Sequence, residues 1–408
     1  PGKDKWPHST VCYAESTDGI HWEKPVIGNI DFLGSKENNI VFGPVFDENG
    51  NELYNYGDDG FRALVDPRPD CPPDERIKAI SDHRGKLWLH VSGDGMHFRT
   101  VGSLDIHGGF DSVNSLLYNE EKEVFQCYYR DFHSPAYPGD RHWIRDVRLT
   151  ESKDLVHWSA PQHMRYDPFV DWELYTNGVC HYYRAPHVYF ALPVRYNERR
   201  IGWSQNYEQL CGRDRRYERF KTMDPRTATA VSDALFMTSR NGVEWTRYGD
   251  AFMSPGPENP ANWVYGSCYI SNGIIETKST HPGCENEISM YCAEGRWTGK
   301  PARLYRYTLR LDGFVSQNAS WYTSKLFTKK LIFEGKDLFI NFSTSAFGGI
   351  EIRMTGEDGR QIIAKDVFGD SCNRRVIFEN GSPADFAGTP VTIEFTMCDA
   401  DLYSIKFE

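Results

Sequence analysis

Along the chain, short runs of β-branched, aromatic and aliphatic residues alternate with polar ones, at 86–91, 112–118, 124–129, 144–149, 174–183 and 187–194. The pattern returns at 337–342, 349–354, 374–379, 391–396 and 402–407. A period of two puts every second side chain on one face, which predicts half-buried strands. Gly, Asn, Asp and Ser separate successive runs, so neighbouring strands are predicted to pair antiparallel through tight turns. No apolar run approaches the roughly 20 residues that a membrane helix needs, and no membrane partner is expected.

One motif repeats. Ser16, Asp18, Gly19 and Trp22 recur as Ser92, Asp94, Gly95 and Phe98, then as Ser152, Asp154, Leu155 and Trp158, and finally as Ser239, Asn241, Gly242 and Trp245. Asp or Asn followed by Gly supplies the positive φ of a hairpin turn, and the ring three residues later packs between sheets. The copies lie roughly 60–90 residues apart, the length of a four-stranded propeller blade with its loops. The turns are read as structural despite their acidic residues.

The fold class expected is all-β: a five-bladed β-propeller over 1–316, a linker at 316–324, and a small antiparallel β-sandwich over 325–408. Innermost strands are placed to start near Asn38, Asp111, Glu173 and Trp263, with 303–315 finishing the last blade. The segments 11–14 and 21–24 read as the outer half of a further blade, so the chain is expected to begin inside one.

The 46 basic residues against 57 acidic ones give a net charge of −11, which argues against a nucleic-acid partner. The ten cysteines show no CxxC pair and no ordered histidine partners, so neither a zinc site nor a redox pair is indicated. His133, His142, His181 and His187 show no metal-binding spacing, and no metal or other cofactor is expected. GxGxxG, Walker, GxSxG and HExxH motifs are absent from the sequence.

Candidate chemistry lies where inner strands start and second strands meet third ones. Glu173, Asp111 and Asp233 are the catalytic candidates, with Glu287 a further carboxylate near the rim. Two carboxylates facing one axis provide the acid and the ionised group that glycoside cleavage requires. Arg130 beside Asp131, and Arg145 beside Asp146, are expected to hold those aspartates ionised. Glu173 beside Trp172 is expected to be desolvated. With Asn177, Trp263 and Tyr265 these residues form the expected substrate-binding set, and Trp143 and Tyr175 are further stacking candidates.

These residues resemble a known group. The repeated Ser-x-Asp-Gly-x-x-Trp turns, the strand Trp172-Glu173-Leu174-Tyr175, the run from Tyr307 to Ser316 and the ending Asp399 to Ser404 are similar to five-bladed glycoside hydrolases of the family 32/43 superfamily. The likeness is greatest to uncharacterised bacterial family-32-like proteins. It implies that Trp172-Glu173 carries the acid and that Arg130-Asp131 or Arg145-Asp146 is the stabiliser. The family's Asn-Asp-Pro-Asn nucleophile motif is absent from the sequence. The function implied is hydrolysis of a furanoside or related plant, algal or microbial glycan, an oligo- or polysaccharide partner, by a secreted or periplasmic enzyme. The alternative is an inactive carbohydrate-binding propeller. The sequence leaves the oligomeric state open.

Overall fold

The computed structural model describes residues 9–46, 48–49, 52–54, 59–135, 143–166, 172–198, 202–271, 273–295 and 303–408. The chain divides into two compact units, 1–273 with 290–307, and 274–289 with 308–408. The fold is nearly all strand.

The first unit is a series of antiparallel meanders, the building block of a propeller. Asp59–Val65, Ile77–His83, Lys86–Ser92 and Arg99–Ser103 form the first sheet, hydrogen-bonded in chain order. Ser115–Asn119, Val124–His133, Ile144–Ser152 and Gln162–His163 form the second. In the third, Glu173–Leu174 and Cys180–Tyr182 share an inner line, Ala185–Ala191 and Val194–Asn197 share the next, and Val231–Ser239 and Trp245–Met253 lie outside them. Tyr269–Ile270 then pairs with the end of Glu287–Glu294.

The apolar faces pack in sequence. Ile80, Leu87 and Leu89 of the first sheet meet Leu116, Phe125 and Tyr129 of the second. Leu117, Tyr128 and Leu149 meet Leu174, Tyr189 and Leu235 of the third. The first strands are tied by a buried polar line: Arg62 Nη1 donates to Ser115 Oγ at 2.8 Å, which donates to Asn177 Oδ1 at 2.6 Å. Burial lowers the Arg62 pKa to about 9.

The repeated turns share one hydrogen-bond design. Asp18 Oδ1 accepts from the amides of Ile20 and His21 at 2.7 and 2.8 Å, and Asp94, Asp154 and Asn241 do the same in their copies. Leu155 adopts the left-handed conformation of the missing glycine, with φ 63°. The first copy packs on the last sheet of this unit: Tyr291 donates its hydroxyl hydrogen to the Gly19 carbonyl at 2.6 Å, and its ring meets Trp22 at 5.5 Å.

One expectation is corrected. The inner strand of the first full sheet is Asp59–Val65, because the strand after Asn38, Ile40–Phe42, pairs instead with Val11–Cys12. The all-β expectation also omitted a helical insertion between Val194–Asn197 and Val231–Ser239: α1 (Gln205–Gln209), α2 (Arg213–Thr222) and α3 (Arg226–Thr229). A run from 213 to 222 without Gly, Pro or Val/Ile and with four Arg was the available signal.

In the second unit the expected short runs join into two long strands, Leu338–Gly356 and Val391–Phe407. Asp370–Arg375 flanks the first half of one and Gln361–Val367 its second half; Ser324–Phe327 and Gln317–Ala319 flank the other likewise. Two four-stranded layers result among the described residues. They enclose one core, with Leu338, Ile340 and Phe342 from one half and Ile352, Met354 and Phe395 from the other. The runs 391–396 and 402–407 are joined by a bend within one strand: Asp399 takes φ 45°, and only glycine fits at 348, where a Cβ would overlap the Asp399 carbonyl.

Candidate active site

The third sheet gathers the chemistry. Its register sets Glu173 opposite Tyr196, and Arg195 opposite both Leu174 and Asp233. Glu173 and Asp233 therefore sit on strands either side of Val194–Asn197, with backbones two strand spacings apart, about 10 Å. Both line one cleft of about 360 Å³, with Trp172, Arg195, Tyr196 and Trp263.

An arginine holds each carboxylate. Arg195 donates Nε to Asp233 Oδ1 at 2.9 Å and Nη2 to Oδ2 at 2.5 Å, a bidentate fork. Arg145, from the second sheet, donates Nη1 to Glu173 Oε2. Its guanidinium lies over Tyr196 at 4.7 Å and Tyr175 at 5.5 Å. Its Nε is buried with no hydrogen-bond partner among the described residues. Tyr175, Tyr196 and Tyr265 pack ring on ring, and Tyr265 donates its hydroxyl hydrogen to that of Tyr175. Burial raises the Tyr175 pKa well above the usual phenol range.

The expectation that each arginine serves the aspartate beside it in sequence is corrected, because consecutive strand residues point to opposite faces. Arg130 reaches Asp111 Oδ2 at 3.6 Å, and Arg145 reaches Glu173. Asp131 and Asp146, on the other face, turn to Arg148, at 3.9 and 3.0 Å from its Nε. Trp172 likewise points away from Glu173, its ring against Arg195 at 4.9 Å and Arg247 at 4.2 Å. Glu173 is 4% exposed, but its surroundings are an arginine and tyrosines rather than that indole.

Asp111 stands on the loop before Ser115–Asn119, largely exposed and outside the cleft lining. Asn177 is buried, with Nδ2 donating to the Val113 and Tyr128 carbonyls at 3.1 and 3.2 Å and Oδ1 accepting from Ser115 and the Val179 amide. Its amide is spent on the scaffold, which corrects its reading as a substrate contact. Trp263 lines the cleft from a left-handed position, φ 53°, with Nε1 donating to the Gly256 carbonyl at 2.8 Å. Trp143 is exposed, Glu287 belongs to the second unit, and His142 lies outside the described residues.

Three residues on one face of the second sheet come together unannounced by spacing. His133, Asp146 and His163 offer ligand atoms within 4.8 Å of one another, the one such group among the described residues. Asp146 Oδ2 stands 2.8 Å from His133 Nδ1 and 2.9 Å from His163 Nε2, while Arg148 donates to both its oxygens at 3.0 Å. Burial works to raise the Asp146 pKa, but the bonds from His163 and Arg148 outweigh it and hold the carboxyl below its ordinary value. With a guanidinium already on that carboxylate, the group is a charged strut more than a cation site.

No family model matches the sequence, and no curated protein matches it. Among solved structures, the chain is similar to an N-acetylgalactosamine deacetylase from F. plautii in complex with blood group B trisaccharide, at 12% identity and TM-score 0.38, covering 75% of this chain and 96% of that one. It is similar to a β-fructofuranosidase from Schwanniomyces occidentalis complexed with fructosyl-erythritol, at 10% identity and TM-score 0.40, covering 99% and 90%. It is also similar to a glycoside hydrolase family 43 arabinoxylan arabinofuranohydrolase from Bacillus subtilis in complex with cellotetraose, at 11% identity and TM-score 0.27, covering 89% and 66%. At these values the likenesses carry no argument about substrate or reaction.

Proposed function

We propose that the protein is a glycoside hydrolase on a five-bladed propeller, cleaving a glycan held in the cleft between Trp172 and Trp263. The observation that carries this reading is that Glu173 and Asp233, from separate strands, both line one cleft of about 360 Å³ that Trp172, Tyr196 and Trp263 also line.

Roles follow from the surroundings. Asp233, gripped by both arms of Arg195, is assigned the second role, facing the positive ring of the transition state or activating water. Glu173, the more buried of the two, is assigned the role of general acid. Arg145 must release Glu173 for this, and the Tyr175 and Tyr196 rings keep the guanidinium in place when it does. Asp111, a catalytic candidate in the sequence, is proposed instead to position Arg130.

The second reading, a propeller that binds sugars without cutting them, is favoured by one observation: both cleft carboxylates are ion-paired. Incubation with furanoside-containing oligosaccharides separates the two. Hydrolysis predicts released sugars, with turnover in Glu173→Gln lower by roughly 10²–10⁴ and a nearly unchanged melting temperature. Binding with no product on long incubation selects the lectin. A secreted or periplasmic location is proposed from the substrate class alone. Ten free cysteines weigh against an oxidising compartment, and fractionation of the source cells decides.

A further inference from the structure

The helical insertion builds a second pocket of about 400 Å³ beside the cleft. Its lining runs continuously from Cys211 to Arg216 and adds Arg219, so that four arginines face it against one acid, Asp214. That acid is already paired, at 2.5 Å, with Arg213. The N-terminus of α2 opens here. Gly212 caps it without any side-chain bond, leaving first-turn amides of a ten-residue helix to the pocket.

The independent observation is Arg216. Its residue is 6% exposed; Nε donates to the Cys211 carbonyl at 3.2 Å and Nη2 to the Asn262 carbonyl at 3.0 Å. Nη1 is buried with no partner among the described residues, and no carboxylate pairs with this guanidinium there. A buried cation with an open donor beside helix-terminal amides is the arrangement that binds an oxyanion.

The two pockets share a wall. Pro255 and Trp263 face the cleft, while Pro260 and Val264 face the arginines. Asn262, which accepts from Arg216, donates Nδ2 to the carbonyls of Pro255 and Pro257 at 2.6 and 2.8 Å.

We propose that this pocket binds an oxyanion, sulfate ester or carboxylate, carried on the glycan whose neighbouring sugar occupies the cleft, so that the substrate class is an acidic glycan. The assignment to a glycan rests on the hydrolase reading above; the anion site does not.

The experiment therefore begins without catalysis. Sodium sulfate, sodium phosphate and sodium acetate are titrated into the whole chain at constant ionic strength with chloride, followed by melting temperature and calorimetry. A saturable rise with at least one anion is expected, weakened tenfold or more in Arg216→Gln. Arg219→Gln, on a less buried residue, gives a several-fold loss and keeps the test valid should Arg216→Gln not fold. Anions that act no better than chloride, or an Arg219→Gln protein responding like the wild type, overturn the site. In Glu173→Gln, a sulfated oligosaccharide is then compared with its unsulfated parent. Tenfold preference for the sulfated form, abolished by Arg219→Gln, supports the glycan-borne anion. Binding of inorganic sulfate without that preference overturns it and leaves the site to a free anion, whatever the outcome of the hydrolysis assay.

Discussion

His90 is a sensitive point of acid stability. It is buried on the first sheet between Phe42 at 4.6 Å and Phe61 at 5.7 Å, where the N-terminal strand pair meets the sheet. Its ring nitrogens each lie 3.0 Å from a hydroxyl, Ser81 Oγ at Nε2 and Thr100 Oγ1 at Nδ1. Neutral imidazole, with one donor and one acceptor nitrogen, satisfies both. Burial accordingly lowers its pKa from 6.5 to about 4. Between those values the unfolded chain binds a proton that the folded one refuses, so stability is whole above pH 6.5 and falls as the pH drops towards 4. The gap is worth about 3 kcal/mol, a large share of the 5–15 kcal/mol typical of a folded protein.

His163 acts in the opposite sense. The Asp146 hydrogen bond raises its pKa, so its contribution is whole below 6.5 and is lost as the pH rises through the folded value. Urea unfolding of wild type and His90→Gln at several pH values from 7.5 to 4.5 isolates His90 as the difference between the two. The variant is expected to be less stable at pH 7.5 and to lose that disadvantage as the pH falls. A difference constant across the range refutes the argument, since it would mean that His90 titrates alike in folded and unfolded chains.

Three further outcomes are expected. Trp172→Ala frees Arg195 and Arg247 from the ring that braces them, and should raise KM for an oligosaccharide several-fold with little change in melting temperature; an unchanged KM removes Trp172 from the site. Gly242→Ala must hold a left-handed φ of 79° and push a Cβ into the buried Tyr128 hydroxyl, which donates to the Gly242 carbonyl at 3.0 Å. A loss of about 2–4 kcal/mol is expected in denaturant titration, and a loss under about 1 kcal/mol would show that the turn yields. Asn177→Ala leaves buried partners on two strands and the loop before Ser115 unpaired and should cost about 3 kcal/mol or more, with activity per folded molecule retained; an inactive but equally stable variant would return Asn177 to the substrate.

The repeated turns show how far local chemistry reaches. Ser, Asp or Asn and Gly at fixed offsets dictate the same amide-to-carboxylate bonds in each copy, so they are legible wherever they stand, and even Leu155 is forced into glycine's conformation. The Arg-Asp pairs fail for an equally simple reason. Adjacent residues on a strand face opposite ways, so Arg145 meets Glu173, 28 positions along the chain, and Asp146 turns to Arg148. The runs 337–342 and 349–354 were visible as strands, but their fusion into one strand depends on Gly348 lying against Asp399, a contact between distant segments.

The residue pattern alone thus determined the antiparallel strands, the four tight turns and the buried faces, because these follow from the period of a pleated chain and from φ preferences within a few residues. Which arginine meets which carboxylate, that Glu173 and Asp233 share a cleft while Asp111 does not, and that Arg216 is buried with an open donor were decided only in three dimensions. Those facts depend on the register between strands and on the helical insertion folding against Asn262, and both are set by the packing of segments far apart in sequence.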